Sequence, residues 1–391
     1  MRTELDFVSR QNTTDIDRKL NIAMLGHKRI PSREGGVEVV VEELSVRMAG
    51  RGHKVTCINR SGHHVAGEEY DAYVGNIYKG VRLKNVPTIN LKGFAAATSS
   101  FFGALIAAFG RYDVVHFHAE GPCATMWIPK LMGKRCIATI HGLDHKRQKW
   151  GYFASRYIMK GEIRAVKMAD EIIVLSQSAQ QYFKDTYGRD TVLIPNGVNR
   201  PEVHKPQLIS DKYGLGKDDY ILFLGRLVPE KGIEYLIKAF KDLNTNKKLV
   251  IAGGSSDSLE FEENMKNLAA SDDRIIFTGF VQGRVLSELL SNCYLYVLPS
   301  DLEGMPLTLL EAMSYGQCCL VSDIPECADV IGDKALTFHK GDVQDLKSKM
   351  QNLLANPAIV DKYRSAASDY VCDKYNWDRV VDETLRLYMK E

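Results

Sequence analysis

The chain has 391 residues and a net charge of +2, with 45% hydrophobic and 26% charged residues. This composition is that of a globular protein and excludes a disordered or fibrous one. The length predicts two domains, each able to bury a core. Residues 1–200 carry a net charge of +10 and residues 201–391 carry −8. Either the first half meets something anionic, such as a membrane surface or a phosphorylated acceptor, or the two halves attract each other.

The cysteines and the N-terminal residues bear on the cellular compartment. The eight cysteines form no C-x-x-C pair, and several lie in apolar runs, as Cys293 does. Buried thiols in a reducing compartment are therefore expected, not disulfides or a zinc site. Residues 1–19 lack the apolar stretch of a signal peptide, so they predict a flexible extension of a cytoplasmic protein.

Strand and helix patterns alternate along the first half of the chain. A strand over Leu20–Gly26 is followed by a turn at Gly35-Gly36, and apolar residues then keep helical spacing from Val37 to Met48. Further strands are predicted at His53–Asn59, Asp113–Ala119, Arg135–His141, Glu171–Ser176 and Thr191–Pro195.

The uncharged stretch Gly93–Gly110 requires a test for membrane spanning. Its 18 residues are at the lower limit of length, and it is rich in Gly, Ala, Ser and Thr. We expect a buried or membrane-touching helix here.

The alternation breaks around Val198–Gly216, where Pro201 and Pro206 lie among polar residues and predict a linker. Two or three helices are predicted from Val343 to Lys390. Between these two regions, a second series of strands is predicted at Tyr220–Gly225, Lys248–Gly253, Arg274–Val281, Cys293–Pro299, Cys318–Ser322 and Ala335–His339.

These patterns predict an α/β protein with two tandem Rossmann-like, doubly wound domains that face each other across a cleft. We expect an N-terminal domain over residues 20–199, a linker over 200–216 and a C-terminal domain over 217–376. Ligands of such sheets bind beyond the carboxyl ends of the strands, so the cleft is the expected site.

The segment Leu298–Gly316 places two glutamates at a strand-to-helix junction. Pro306 suits the first position of a helix, whose N-terminus favours phosphate. Glu303 precedes the helix and Glu311 lies within it, and either carboxylate can accept hydrogen bonds from sugar or ribose hydroxyls. Two solvated glutamates are the alternative, which the apolar neighbours of Glu311 disfavour.

A second strand-to-helix turn, in Phe223–Gly232, carries Arg226 and Lys231. Two cations there could neutralise a diphosphate, although two surface cations are an equal alternative. Gly35-Gly36 permits a close backbone approach to a ligand. The chain contains neither G-x-G-x-x-G nor a Walker A sequence, which argues against nicotinamide chemistry and P-loop hydrolysis.

Three histidines lie on predicted strands. His116 and His118 share one face of a strand, but a metal site needs a third ligand that the sequence does not place, so no metal is expected. His141 ends its strand and is a candidate for ligand contact. Asn196-Gly197-Val198 suits a hinge, or a plain turn.

Residues 143–167 mix cations with aromatic side chains. This pattern is typical of a membrane interface, and a solvated helix face is the alternative. Nucleic acid is disfavoured because no recognised binding module accompanies the cations. The cations are Lys146, Arg147, Lys149, Arg156, Lys160, Arg164 and Lys167, and the aromatic residues are Trp150, Tyr152, Phe153 and Tyr157.

Taken together, the motifs resemble the GT-B fold retaining glycosyltransferases of family 4, the glycosyl transferases group 1, over about residues 20–391. Glu303 to Glu311 matches the E-x7-E motif of that family, and Gly225 to Gly232 matches its donor-diphosphate loop. Ile194 to Val198 matches the domain junction. Gly35-Gly36 and the run from Arg51 to Val55 match N-terminal features.

The resemblance implies a nucleotide-diphosphate sugar as donor and no metal or cofactor. Arg226 and Lys231 would hold the phosphates, Glu311 the ribose, and Glu303 and His141 the transferred sugar. Gly36 would approach the diphosphate, and the last helix, 377–391, would join the N-terminal domain. The implied catalytic or donor-binding residues are Gly36, His141, Arg226, Lys231, Glu303, Gly304, Met305, Pro306, Leu307 and Glu311.

The resemblance also implies retention of anomeric configuration, with the leaving phosphate taking the acceptor's proton on the same face. The chain departs from the family pattern at Gly316–Ser322, where a proline is missing, and at Ser322–Glu326, where a glycine pair is missing. The second departure lies near the donor, so the base and sugar preference stay open.

We therefore expect a metal-independent hexosyltransferase of polysaccharide or glycoconjugate biosynthesis, with UDP expected ahead of GDP and dTDP. The acceptor would be a saccharide or lipid-linked saccharide at the inner membrane face, reached through residues 143–167. The alternatives are an epimerase or phosphorylase on the same architecture, or a non-catalytic sugar- or lipid-binding protein.

Overall fold

The computed structural model describes residues 18–62, 75–89, 94–143, 151–254 and 259–390. Within these ranges the chain forms two α/β units in succession. Each unit has one sheet with helices packed on it.

The first sheet has the strand order β3-β4-β2-β1-β5-β6-β7-β8 among the described residues. All its pairs are parallel except β3 with β4, which run antiparallel at the edge. Apolar runs form its centre, and Ile22 pairs with both Val55 and Val114. Its strands are β1 Asn21–Leu25, β2 Lys54–Arg60, β3 Ile77–Tyr78, β4 Val81–Val86, β5 Val114–His118, β6 Arg135–Ile140, β7 Glu171–Val174 and β8 Val192–Leu193.

Helices cover both faces of this sheet. Apolar residues of α1 pack on one face, and α2, α5 and α6 contribute to the core on the other. The side chain of Ser176 caps α6 by accepting a hydrogen bond from the backbone N–H of Ala179, at 3.3 Å. These helices are α1 Gly36–Gly50, α2 Phe94–Phe109, α3 Glu120–Cys123, α4 Trp127–Leu131, α5 Tyr152–Met168 and α6 Gln177–Tyr187.

The second sheet is parallel throughout its described pairs, in the order β11-β10-β9-β12-β13-β14. Its strands are β9 Tyr220–Leu224, β10 Lys248–Ala252, β11 Ile275–Gly279, β12 Leu295–Leu298, β13 Cys319–Ser322 and β14 Leu336–Phe338. Its helices are α7 Leu208–Tyr213, a 3-10 turn at Pro229–Lys231, α8 Ile233–Lys241, α9 Leu259–Ala269, α10 Gly283–Asn292, α11 Leu307–Ser314, α12 Pro325–Ile331, α13 Val343–Ala355 and α14 Pro357–Lys374, and α15 Trp377–Met389 follows them.

The structure confirms the predicted fold class of two doubly wound α/β domains. The sequence analysis missed the edge strands β3 and β4, and β8 is only two residues long. In β4 the buried residues Val81, Leu83 and Val86 are separated by exposed polar ones, and Lys84-Asn85 break the alternation, so neither an apolar run nor a strict period of two marks the strand. All eight cysteines are free and buried.

The last helix returns to the first sheet. The backbone N–H of Val198 donates to the carbonyl of Tyr375 at 2.7 Å. This bond joins the segment that leaves the first unit to the segment that returns to it. Trp377, Val381 and Tyr388 of α15 then enter the same core as α1. The first sheet is therefore covered on this face by helices from both ends of the chain.

The two units touch where their strands end. A Cβ placed on Gly304 would lie 1.7 Å from the carbonyl oxygen of His141, so the two backbones are in contact. The side-chain amide of Asn196 donates to the carbonyl of Met305 at 3.3 Å. The hydroxyl of Ser178 donates to Glu326 at 2.6 Å. These contacts bring the carboxyl ends of both sheets to one cleft.

Replacement of Gly304 by alanine tests this approach. Because the added methyl group would overlap the carbonyl of His141, we expect Gly304→Ala to push the units apart and cost about 1–3 kcal/mol of stability. Small-angle scattering should show a larger radius of gyration, with unchanged circular dichroism. Gly50→Ala is the control, since nothing lies within 4 Å of its added Cβ. Unchanged scattering and melting of Gly304→Ala would contradict the contact.

Candidate active site

Neighbouring strands of the second sheet carry the predicted donor loops. β9 pairs with β12, so the loop after Leu224 lies beside the loop after Leu298. Gly232 makes this packing possible, because a Cβ there would lie 1.9 Å from the carbonyl oxygen of Pro299 and its φ is +65°. Only glycine fits that position without strain.

Lys231 and Glu303 meet between these loops. The Lys231 Nζ lies 2.6 Å from the Glu303 Oε1, and the two side chains are only 13% and 9% exposed. The Ser300 hydroxyl donates to the same oxygen at 2.6 Å, and Ser322 donates to the Ser300 carbonyl at 2.5 Å. No described residue donates to the Glu303 Oε2, so that oxygen is available to a ligand hydroxyl.

Arg226 is the second cation of this loop, next in sequence to Gly225, whose added Cβ would lie 3.9 Å from the Lys231 Cε. Its side chain is half-buried at the end of β9. Within the described ranges, its guanidinium makes no hydrogen bond or ion pair, whereas Lys231 is held by Glu303. A half-buried guanidinium without a partner suits an anionic ligand with two oxygens.

Two helix N-termini meet across the cleft. Gly36 is the first residue of α1, and a Cβ there would lie 3.4 Å from the Leu307 Cδ1, in the first residue of α11. No side chain caps either helix start. Their free backbone N–H groups and dipoles both favour a bound phosphate.

The start of α11 corrects one expectation. Pro306 was predicted at the first helical position, but it precedes the helix as its N-cap, with ψ at 103°. Met305 is buried, and its sulfur accepts a hydrogen bond from the Asn196 N–H at 3.0 Å. Met305 is therefore engaged at the domain junction, and Gly304 contacts the first domain.

Glu311 lies in the second turn of α11 and is half-buried. Burial raises the pKa of its carboxyl to about 7, an effect that Arg33 opposes and Glu43 reinforces from the first domain. No described residue hydrogen-bonds this carboxylate. Glu311 therefore faces the first domain across the cleft, where a ligand hydroxyl could be its partner.

A histidine cluster lines the opposite side. The His118 Nδ1 lies 3.1 Å from the His141 Nε2, and the rings of His116 and His118 are 4.1 Å apart. His116 is held by Thr139 at 2.7 Å and by Tyr388 of the last helix at 2.6 Å. Burial, with the neighbouring His116 and His141, holds the pKa of His118 well below its ordinary value. His118 is thus a neutral support for His141.

The predicted site residues gather at one cleft from both domains: Gly36 and His141 on one side, and Arg226, Lys231, Glu303 and Glu311 on the other. The sequence analysis missed the Lys231–Glu303 pairing and the supports Ser300 and His118. Ser300 lies within the predicted strand-to-helix segment Leu298–Gly316, and this position was its only signal. Among the described residues, no group of three His, Cys, Asp or Glu is arranged to hold a metal.

Two facing α/β domains with this cleft have the GT-B architecture of glycosyltransferases. Residues 34–200 match the family model described as Glycosyltransferase Family 4, and residues 207–371 match the one described as Glycosyl transferases group 1. The chain belongs to this family of glycosyltransferases, as its motifs predicted.

A curated relative agrees with this assignment, and solved structures share the fold. The chain is 26% identical to the phosphatidyl-myo-inositol mannosyltransferase of Mycobacterium leprae, over 90% of this chain and 92% of that protein. Its fold is similar to sucrose-phosphate synthase from Thermosynechococcus elongatus, with a TM-score of 0.79, 21% identity and coverage of 95% and 98%. Its fold is also similar to HepE of Anabaena in complex with UDP-glucose, with a TM-score of 0.76, 16% identity and coverage of 94% of this chain and 99% of that chain.

The raised pKa of Glu311 predicts a pH dependence of donor binding. If Glu311 accepts hydrogen bonds from ligand hydroxyls through its ionised carboxylate, as its predicted role implies, binding should weaken as the pH falls through about 7. Relative to Glu311→Gln, the affinity for UDP should drop about tenfold per pH unit well below that value. Calorimetry on both proteins from about pH 5.5 to about pH 8 measures this, and titration of UDP itself cancels in the ratio. Parallel profiles would count against the assignment.

The contact between His118 and His141 predicts a loss of turnover on substitution. His118→Leu removes the hydrogen bond that orients His141, so sugar transfer should slow about fivefold to tenfold. His118→Asn keeps an N–H near the Nδ1 position and should restore much of the rate. His53→Leu is the packing control, because His53 is also a buried histidine but accepts from the backbone N–H of Leu20, at the amino end of the strands and away from the cleft. Equal losses in all three variants would point to packing alone.

Proposed function

We propose that this chain transfers a hexosyl group from a UDP-sugar to a saccharide or lipid-linked saccharide, with retention of configuration and without a metal ion. The observation that supports it most is the convergence of Arg226, the Lys231–Glu303 pair and two uncapped helix N-termini on one cleft. Such a cleft favours a pyrophosphate joined to polar rings.

The proposed roles follow from the contacts. Arg226, Lys231 and the N–H groups at Gly36 and Leu307 bind the diphosphate. The Oε2 of Glu303, left open by Lys231 and Ser300, accepts a hydroxyl of the transferred sugar, and His141 contacts that sugar from the other domain. Glu311 accepts the ribose hydroxyls. The backbone from Gly304 to Leu307 lies beside the phosphates.

In the proposed reaction the bond between the sugar's C1 and the β-phosphate oxygen breaks, while the acceptor oxygen bonds to C1 on the same face. The acceptor's proton passes to the departing phosphate oxygen. Arg226 and Lys231 stabilise the negative charge that develops there. Glu303 is neutralised by Lys231, which makes it a poor nucleophile and favours this route over double displacement.

Solved structures of similar fold support UDP as the nucleotide, because HepE has been solved with UDP and with UDP-glucose. Relatives named as mannosyltransferases, among them WbdA of Escherichia coli, keep GDP as the next choice. The name of the mycobacterial relative supports a lipid-linked acceptor. Cell-surface polysaccharide or glycoconjugate synthesis at the inner membrane face is the setting we propose.

We further propose that residues 143–167 contact the membrane. Lys146, Arg147, Lys149 and Trp150 lie outside the described residues. The outward face of α5 exposes Arg156, Lys160, Arg164 and Lys167, with Met159 and Ile163 also exposed. Its one acidic residue, Glu162, is buried and accepts a hydrogen bond from Tyr182 at 2.9 Å. A basic and apolar face suits an anionic bilayer.

Arg226→Ala and Lys231→Ala test the donor site. Each should lower transfer about 100-fold to 1,000-fold, because each removes charge stabilisation of the leaving phosphate. Lys238→Ala is the matched control, since Lys238 pairs with Glu234 on the surface of α8 and with no other residue in the described ranges. Transfer is measured with UDP- and GDP-sugars, and nuclear magnetic resonance reads the anomeric configuration of the product.

The same assay separates the alternatives. An inverted product would refute retention, and full activity in both cation variants would refute the site. An epimerised sugar formed without acceptor would favour an epimerase, and transfer to phosphate would favour a phosphorylase. A thermal shift with UDP, driven by mass action, reports binding independently of turnover.

A further inference from the structure

Helix α2 buries its small residues and exposes its large apolar ones, which is the reverse of the usual packing. Its buried residues are small, namely Ser99, Ser100, Gly103, Ala104, Ala107 and Ala108. Its phenylalanines face outward: Phe94 is 60% exposed, Phe101 44%, Phe102 38% and Phe109 74%. At about 100° per residue, these four fall within one stripe roughly 100° wide. In a surface helix whose outer face is in contact with water alone, the large apolar side chains normally face the core and the small or polar ones face outward.

The neighbouring helix α4 continues this surface. Ala104 and Ala108 of α2 pack on Ile128 of α4, so the two helices lie side by side. Leu131 is 76% exposed and Met132, directly after α4, is 52% exposed. We call the exposed apolar residues of α2 and α4 the phenylalanine face.

Exposed apolar side chains are concentrated in this part of the molecule. Of the fifteen large hydrophobic residues exposed in the described ranges, ten lie on α2, on α5 or between Trp127 and Met132. Scattered apolar side chains are normal on a protein surface, whereas a contiguous patch marks an interaction site. Among the described helices, none combines the length and hydropathy needed to cross a bilayer.

The charges around the phenylalanine face decide what covers it. Neither α2 nor α4 contains an acidic residue, and α5, which packs beside α4, has only the buried Glu162. Lys134 lies at the end of α2, where its Nζ donates to the carbonyl of Gly110 at 2.9 Å. Asp170 pairs with Lys130 of α4 at 2.6 Å, which leaves Lys134 and the exposed cations of α5, so the rim is net basic. A second copy of this chain across a two-fold axis would set like charges against each other.

We propose that the phenylalanine face inserts into the interfacial region of an anionic bilayer, with the cations of α5 binding the lipid headgroups. This inference rests on the proposed membrane contact of the first domain and extends it to two further helices. It orients the enzyme, because α2 begins beyond the carboxyl end of β4, the edge that faces the cleft. Phe94 then lies at the cleft end of the membrane-bound face.

Vesicle flotation of the full chain tests the proposal. The wild type should float with vesicles of phosphatidylglycerol and phosphatidylcholine, and much less with phosphatidylcholine alone. The variant Phe101→Ser/Phe109→Ser should bind at least about tenfold more weakly, since two apolar side chains no longer leave water. Lys160→Gln/Arg164→Gln should weaken binding to the anionic vesicles about tenfold.

Val203→Ser/Leu259→Ser is the matched control, because both residues are exposed apolar side chains that follow the first unit in the chain, at 64% and 76%. It should float as the wild type does. The UDP-induced thermal shift of every variant shows separately whether the donor site is intact, so failure of the transferase proposal is distinguishable. Absence of wild-type flotation overturns the inference, and so does a dimer that Phe101→Ser/Phe109→Ser dissociates.

Discussion

The ion pair between Lys231 and Glu303 is the interaction on which the site depends. Charges this little exposed are stable only when they are paired and hydrogen-bonded. Ser300 supplies the remaining bond to Glu303, and Ser322 in turn fixes the backbone of Ser300. Lys231 and Ser300 bind one oxygen of Glu303 and leave the other open. Because Lys231 is the partner of Glu303, the guanidinium of Arg226 makes no ion pair within the described ranges.

Close backbone contacts allow the two domains to act as one. The contact of Gly304 with His141 leaves no room for a larger side chain at Gly304. Near Gly36, α1 meets α11 of the other domain. The two uncapped helix N-termini, one from each domain, therefore face the same space. The last helix reinforces this geometry, because Tyr388 holds His116, which stacks on His118 behind His141.

The domains divide the work differently. The second domain, whose residues carry the negative net charge, provides the cations and carboxylates that we propose bind the donor. The first domain provides backbone and histidine contacts at the cleft, and it carries the basic rim and the phenylalanine face on its outer helices. The proposed membrane-bound acceptor rests on this combination of a positive, apolar outer face and a polar cleft. Part of the positive net charge of residues 1–200 thus lies on the outer face of α5.

The sequence alone determined the fold class, because buried parallel strands are continuous apolar runs and their turns carry glycines. It also marked the site motifs, whose residues lie close together along the chain. Tertiary structure decided the rest. Lys231 and Glu303 are 72 residues apart and meet because β9 pairs with β12, which no local pattern indicates. His118 reaches His141 across β5 and β6 for the same reason. In α2, composition predicted a buried or membrane-touching helix, but only packing against the sheet determined that alanines face inward and phenylalanines outward.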